Sequence, residues 1–206
     1  MYQTSHFEET RLDVLHGLIE AHPLGALVTH GAGRLCADHV PFEIGAPSAQ
    51  APFGTLRAHV ARANPLWRTG GEALVLFQGP QAYISPAWYA EKALSGKVVP
   101  TFNYAVVHAH GTLRAIDDAD WLLALLERLT ARHEAPHAAP WRIDEAPRDY
   151  IDKMLSAIVG VEIALTRIEG KWKASQNRTP SDQASIANGL DAGDARGHAM
   201  AAMMRR

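Results

Sequence analysis

A histidine, an arginine and an asparagine stand close together at His59, Arg62 and Asn64, where an apolar run meets an Asn-Pro turn. The alternation from Thr55 to Val60 predicts a strand that carries the histidine and runs into the arginine. Because arginine presents a planar fork of donors, this arrangement suits a phosphate or a carboxylate. The spacing therefore favours an anion-binding group at a strand end. The alternative is a surface arginine in an ion pair and a core histidine held by hydrogen bonds.

Two further segments combine aromatic rings with polar groups. Tyr83–Tyr89 places three rings around a proline, and Val99–Tyr104 sets a threonine hydroxyl and an asparagine amide beside two rings. Such rings can wall a flat ligand, but they can equally form a hydrophobic plug that closes the end of a barrel. The hydroxyl and the amide need hydrogen-bond partners, which either a ligand or the loop backbone supplies.

A fourth polar segment, Lys171–Arg178, comes late in the chain. In an extended conformation Lys171 and Lys173 share one face, and with the neighbouring serine, glutamine and asparagine they suggest anion binding. A solvated turn with charged edge residues is the alternative interpretation. The chain has no phosphate-binding loop, no dinucleotide-binding glycine motif and no helix-turn-helix with a basic recognition helix. We assign no catalytic residue and predict no metal site.

The composition is that of an ordinary globular protein. The chain has 206 residues, a formal net charge of −2 and a pI of about 6.6. The length indicates one sizeable domain, or one domain with a small appendage. Since proteins that neutralise DNA phosphates normally carry a basic excess, direct DNA binding is doubtful. No apolar signal region opens the sequence and no apolar run is long enough to span a bilayer, so we expect a cytoplasmic protein without membrane contact.

The order of predicted elements indicates the fold class. Strand patterns dominate up to residue 114, two helical patterns follow, and a late strand covers Val161 to Ile168. A last short helix begins near Ser181. Without a regular alternation of strands and helices, this order favours an α+β, mainly β, antiparallel barrel over a doubly wound sheet. We predict one domain over residues 1–190 and a flexible or partner-contacting tail over residues 191–206.

Taken together, several segments resemble the PaiB family of FMN-binding negative transcriptional regulators. The family's order is kept over about residues 1 to 190. Two positions depart from its usual pattern: Thr4, where proline is common, and Phe102, where tryptophan is common, so a role that needs an indole N–H at that position is in doubt. The resemblance is carried by Met1–Phe7, His22–Thr29, His39–Phe42, His59–Trp67, Phe77–Tyr89, Val99–Tyr104 and Lys171–Arg178.

The resemblance implies a six-stranded antiparallel split β-barrel with flanking α-helices, a homodimer, and FMN bound near the subunit interface. Thr101 and Asn103 match positions suited to the polar edge of the flavin ring, and Lys173 and Gln176 match positions that either subunit can contribute. The positions that match the family's phosphate-binding strands are His39, Thr55, His59, Arg62 and Asn64.

Three functions are compatible with this resemblance. The first is an FMN-binding regulator that acts through a protein partner, since no DNA-binding element is visible. The second is a flavin-dependent oxidoreductase, because pyridoxamine-phosphate oxidases and flavin reductases share the fold. The third is a split barrel that binds haem or no flavin at all. Fold alone does not choose among them, so whether the protein is an enzyme stays open.

Overall fold

The computed structural model describes residues 1–31 and 33–205. The strands are β1 (Glu8–Glu9), β2 (Leu24–Gly31), β3 (Arg34–Pro41), β4 (Glu43–Gly45), β5 (Thr55–Ala61), β6 (Gly71–Ile84), β7 (Thr101–Ile116) and β8 (Ile158–Lys173). The helices are α1 (Leu12–Ala21), α2 (Leu66–Thr69), α3 (Glu91–Ser95), α4 (Ala119–Glu134), α5 (Arg148–Ser156), α6 (Pro180–Asp191) and α7 (Ala195–Met204). None of these helices is both long and apolar enough to cross a membrane.

The strands form one sheet in the order β3-β2-β6-β7-β8-β5-β4, and β1 pairs with β8. The pairings β2–β3, β2–β6, β4–β5, β5–β8 and β1–β8 are antiparallel. The predicted α+β, mainly β, split-barrel class is therefore confirmed. The described strands number eight rather than the expected six, because β1 and β4, of two and three residues, are too short to give a sequence pattern.

The chain divides into two compact units that interleave along the sequence. Residues 1–22, 77–108 and 169 onwards make the first unit, and residues 23–76 and 109–168 make the second. The long strands β6, β7 and β8 each contribute residues to both units. Residue 190, the predicted domain boundary, lies inside the first unit.

The core of the second unit follows from alternation along its strands. On β5 the side chains of Leu56, Ala58 and Val60 are buried, as the period-two pattern predicts. The opposite face of the strand therefore carries Thr55, Arg57 and His59. Asp118 caps α4 by accepting a hydrogen bond from the backbone N–H of Trp121 at 3.0 Å. Alternation along β5 therefore determines which of its side chains lie outside the buried core and are available for binding.

The first unit has its own core, built around its C-terminal helices. Ile84 and Tyr89 belong to one buried cluster with Ile186 of α6 and with Met200 and Ala201 of α7. The segment predicted as a flexible or partner-contacting tail thus contains a helix with buried side chains, while its last residue lies outside the described residues. Burial of apolar side chains at this spacing stabilises a helix that is short by itself.

Candidate functional site

His59 on β5 has a buried ring nitrogen that needs a partner. The strand pairs with β8, where His59 lies opposite Gly160. Its Nδ1 atom is buried and makes no hydrogen bond with any described residue. Burial also lowers the pKa of His59, so the imidazole is neutral at neutral pH. A neutral imidazole with an unsatisfied nitrogen is a ready hydrogen-bond partner for a bound polar group.

Two of the predicted site residues lie beside the cleft of the second unit. His39 pairs with Ala26 on β2, and Val28, on the same face two residues along, lines the cleft. Thr55 pairs with Ala164 on β8, and the next residue on that face of β8, Thr166, lines it as well. Alternation places His59 on the same face of β5 as Thr55. His39, Thr55 and His59 themselves are not among the residues that line the cleft.

The cleft itself has a volume of about 450 Å³, which is within the range of small-molecule sites. It offers hydroxyl, imidazole and carboxylate groups beside aliphatic side chains. Most of these residues could not be predicted from the sequence, because threonine and aliphatic residues that alternate along strands are typical of an ordinary sheet. Its lining residues are Val28, Thr29, His30, Leu35, Glu72, Ala73, Leu74, His110, Gly111, Thr112 and Thr166.

Arg62 is engaged within its own unit rather than directed at open space. Its guanidinium donates two hydrogen bonds to Asp117, at 3.0 and 2.6 Å. It also donates to the backbone carbonyls of Ser156 and Ile158, at 2.8 and 3.0 Å. This pairing raises the pKa of Arg62 and lowers that of Asp117. An anion at Arg62 would have to compete with a bidentate carboxylate.

Asn64 is likewise occupied by protein groups. Its Nδ2 donates to Asp38 at 2.8 Å, and its Oδ1 accepts a hydrogen bond from the backbone N–H of Leu66 at 2.9 Å. The second bond fixes the turn that leads into α2. The arrangement fastens the end of β5 to β3, beside His39.

The remaining predicted residues form a second group, in the first unit. Lys173 donates a hydrogen bond to the Thr101 hydroxyl. Asn103 and Ser175 are both buried and exchange hydrogen bonds at 2.9 and 3.2 Å. Ser175 has a φ of 61°, a left-handed conformation that is uncommon for a residue other than glycine. The structure thus joins two segments that the sequence separates by about seventy residues.

Gln176 folds back on its own turn. Its side chain donates to the backbone carbonyl of Trp172 and accepts from the backbone N–H of Ala174 at 2.7 Å. Both ends of its amide are therefore satisfied locally, and the residue is exposed.

The aromatic segment Tyr83–Tyr89 divides between two roles. Tyr89 is 3% exposed and lies in the buried cluster with the C-terminal helices, as the plug interpretation expects. Tyr83 is half-exposed and meets the ring of Phe102 edge-to-face, with centroids 5.9 Å apart. The exposed pair is therefore available to a ligand, whereas the partly buried Trp88 packs against the cluster.

Comparison with known proteins places the chain in a family. Residues 1–167 match the family described as "Putative FMN-binding domain". Protease synthase and sporulation protein PAI 2 of Bacillus subtilis is 30% identical over 92% of this chain and 89% of its own length. The chain belongs to the PaiB family of FMN-binding domains. An uncharacterized family relative from Emericella nidulans is 31% identical over 93% of this chain and 90% of its own length.

Solved structures agree with the family's fold. A FAD and heme binding protein from Mycobacterium smegmatis matches with a TM-score of 0.58 and 20% identity, over 81% of this chain and 73% of its own. The flavocytochrome Anf3 from Azotobacter vinelandii matches with a TM-score of 0.57 and 13% identity, over 89% and 78%. At these identities the likeness establishes the fold alone. The match to the family model ends at residue 167, before Lys173 and Gln176.

Proposed function

We propose that this PaiB-family protein binds FMN and acts as a regulatory protein without a DNA-binding motif of its own. The observation that carries the proposal is the buried Nδ1 of His59, which lacks a hydrogen-bond partner among the described residues. A group of this kind is stabilised by a bound ligand atom. FMN offers carbonyl, ring N–H, hydroxyl and phosphate groups that can form a hydrogen bond with this nitrogen.

One group of flavin-contacting residues in this proposal lies in the second unit. His59 donates or accepts one hydrogen bond, and His39 and Thr55 contribute from the flanking strands. Arg62 and Asn64 have a positioning role, because their donors hold Asp117 and Asp38. Thr101 and Asn103 are proposed for the polar edge of the ring, with Lys173 and Gln176 from either subunit. When bound, FMN supplies electron-transfer chemistry that no side chain here provides.

The regulatory part of the proposal draws on the relative in Bacillus subtilis, which is named for protease synthesis and sporulation. A net charge of −2 argues against direct binding to DNA phosphates. Regulation through a protein partner is therefore favoured. Retention of a DNA duplex at physiological salt would contradict this part of the proposal.

The test of flavin binding is spectroscopic. We expect the purified protein to quench FMN fluorescence on titration and to rise in melting temperature when FMN is added. His59→Phe, which keeps the ring but removes both nitrogens, should weaken FMN binding roughly tenfold, and His59→Gln should recover part of it. His133→Phe, on the exposed end of α4, is the control and should bind as the wild type does.

The same preparation separates the other functions. Oxidation of NADH or NADPH by the loaded protein would favour the oxidoreductase. An intense haem absorbance with no response to FMN would favour the haem-binding barrel. A protein that is colourless and unaffected by FMN would overturn the proposal.

A further inference from the structure

A groove lies between α4 and α5, two helices that belong wholly to the second unit. Side chains one turn apart on a helix share a face, so each helix presents its own row of residues to the groove. Its volume of about 180 Å³ is below the usual range of small-molecule sites and suits an anchoring side chain of a protein partner. The lining residues are Leu126 and Thr130 of α4, Ile151, Met154 and Leu155 of α5, and Trp141 and Ile143 of the connecting loop.

Large apolar side chains are exposed at this groove. Trp141 and Met154, which line it, are 43% and 39% exposed, and Tyr150, next to Ile151 on α5, is 54% exposed. Single exposed apolar residues are ordinary, whereas several beside one groove are typical of an interaction site. Methionine adds a flexible side chain that adapts to the shape of a partner. These features favour a protein as the occupant.

The loop wall of the groove is held in place by local hydrogen bonds. The Trp141 backbone N–H donates to the Glu134 carboxylate at 3.0 Å, and the Arg142 backbone N–H donates to Glu145 at 2.9 Å. The Arg142 guanidinium donates to both oxygens of Asp144, at 3.1 and 3.0 Å. Because the wall is already formed, a partner does not have to order it, which lowers the free-energy cost of association.

A second pocket continues the groove on its polar side. It has a volume of about 340 Å³ and shares Thr130 and Trp141 with the groove. Glu127 and Asp144 also line it. Asp144 is paired with Arg142, but the exposed Glu127 forms no ion pair among the described residues. The polar side of the groove therefore offers a carboxylate to a cation.

The charges around the groove that lack a partner are mainly negative. The nearby arginines are engaged, since Arg128 pairs with Glu43 at 2.8 Å and Arg148 pairs with Asp152 at 2.9 Å. Lys153 is an exposed cation outside these pairs. The carboxylates of this region that form no ion pair within the described part of the chain are Glu127, Glu134, Glu145 and Asp149. A surface of this charge attracts a basic partner and disfavours an acidic one.

We propose that the groove between α4 and α5 binds a basic amphipathic helix of a partner protein. Apolar residues three or four positions apart on that helix fill the groove against Met154 and Trp141, and its lysines or arginines meet Glu127 and the neighbouring carboxylates. The inference rests on the proposed regulation through a protein partner, and it uses none of the residues proposed to contact FMN.

The test uses a random library of peptides of about 16 residues, displayed on phage and panned against the whole chain in the presence of FMN. We expect enrichment of peptides that combine lysine or arginine with apolar residues at helical spacing. In fluorescence anisotropy titrations of an enriched peptide, Met154→Asp and Glu127→Lys should each weaken binding roughly tenfold or more. Leu94→Asp and Glu8→Lys, at exposed positions of the first unit, are the matched controls and should change it less than about twofold.

Each outcome decides the inference. Basic amphipathic peptides whose binding depends on both Met154 and Glu127 support it. Acidic peptides, peptides that tolerate either substitution, or no enrichment at all would overturn it. A wild-type oligomer that Met154→Asp dissociates in light scattering would also overturn it, because a second copy of the chain would then occupy the groove.

Titration with FMN keeps this inference separate from flavin binding. All four variants should bind FMN as the wild type does. Groove-dependent peptide binding by a protein that binds no FMN would support the inference and contradict only the flavin part of the proposed function. FMN binding without groove-dependent peptides would overturn the inference and leave flavin binding intact.

Discussion

At the scale of single residues, the structure distinguishes side chains that are available from those that are already engaged. His59 keeps a buried nitrogen without a partner, whereas Arg62 and Asn64, three and five positions later, use their donors on protein groups. Sequence types alone gave the three residues one role. Their contacts separate two roles, a group available to a ligand and donors already used by the protein, because a donor that is bound to a carboxylate cannot bind a ligand at the same time.

Burial of His59 predicts a dependence of stability on pH. Since its pKa is lowered in the folded protein, the unfolded chain takes up a proton at this residue more readily. The contribution to the free energy of unfolding is complete above the ordinary pKa of about 6.5 and is lost as the pH falls below it. Urea denaturation at about pH 7.5 and about pH 5.5 should show a larger loss for the wild type than for His59→Gln. Equal losses would assign the effect to other groups.

Arg62 and Asp117 should behave as one structural unit. Arg62→Ala and Asp117→Asn each break the bidentate pair, so both should lower the thermal midpoint of the ligand-free protein. FMN affinity of the folded variants should stay within about twofold of the wild type. A roughly tenfold loss of FMN affinity in Arg62→Ala, with none in Asp117→Asn, would instead support the anion-binding role predicted from the sequence.

At the scale of elements, a cross-strand ion pair holds the middle of the cleft face. Glu162 on β8 accepts hydrogen bonds from Arg57 on β5 and from Arg114 on β7, both at 3.0 Å through Nε. Burial by itself raises the pKa of Glu162, but the hydrogen bonds from Arg114 and Arg57 outweigh it and hold the pKa below its ordinary value. One carboxylate thus joins two strands that β8 separates in the sheet.

Glu162→Gln should therefore cost about 1–2 kcal/mol of unfolding free energy near neutral pH. Because a lowered carboxyl pKa contributes stability above the ordinary pKa and loses it as the pH falls through the folded value, the gap to the wild type should narrow in acid. Urea denaturation of both proteins, near neutral pH and in acid, measures this gap in unfolding free energy. Asp152→Asn, which breaks an exposed pair with Arg148 on α5, should have a much smaller effect. A gap that stays constant with pH would refute the electrostatic account.

The last helix, α7, contributes to the core of the first unit. Met200 is fully buried in the cluster with Tyr89 and Ile186, so Met200→Ala should lower the unfolding free energy by about 2–5 kcal/mol. Leu94→Ala, at a side chain that is 83% exposed, should change it by less than about 0.5 kcal/mol. Chemical denaturation of the two variants makes the comparison. If Met200→Ala lowered the unfolding free energy as little as Leu94→Ala does, α7 would contribute nothing to the folded core.

At the scale of the whole molecule, the predicted homodimer calls for an exposed apolar surface. Leu24 and Leu35, on the paired strands β2 and β3, are 60% and 73% exposed, and Leu35 lines the cleft. An exposed apolar side chain at the rim of a cleft, such as that of Leu35, favours association. This is consistent with the proposal that FMN lies near a subunit interface.

We expect light scattering to report a dimer of the FMN-loaded protein and a monomer for Leu35→Glu, since a charge in an apolar interface is costly. The same variant should bind FMN more weakly if the interface and the cofactor site adjoin. Leu94→Glu, in the first unit, is the control and should remain dimeric. A wild-type protein that stays monomeric with FMN bound would rule out the dimer.

The sequence by itself determined the fold class and much of the strand pattern. Alternation placed Leu56, Ala58 and Val60 on the buried face of β5, because a strand turns successive side chains to opposite faces. The family followed from the order and content of its polar and aromatic segments. Strands as short as β1 and β4 could not be predicted from the sequence, since two or three residues are too few to show an alternation of apolar and polar side chains.

Only the tertiary structure decided which polar side chains have partners. That Asp117 occupies Arg62, that Thr101 meets Lys173, and that Tyr89 is buried while Tyr83 is exposed all depend on contacts between distant parts of the chain. The cleft of the second unit is assembled from five strands, and its lining residues come from parts of the chain that are far apart in sequence. Residue type and spacing report what a side chain can do, whereas its neighbours in space decide whether it is free to do it.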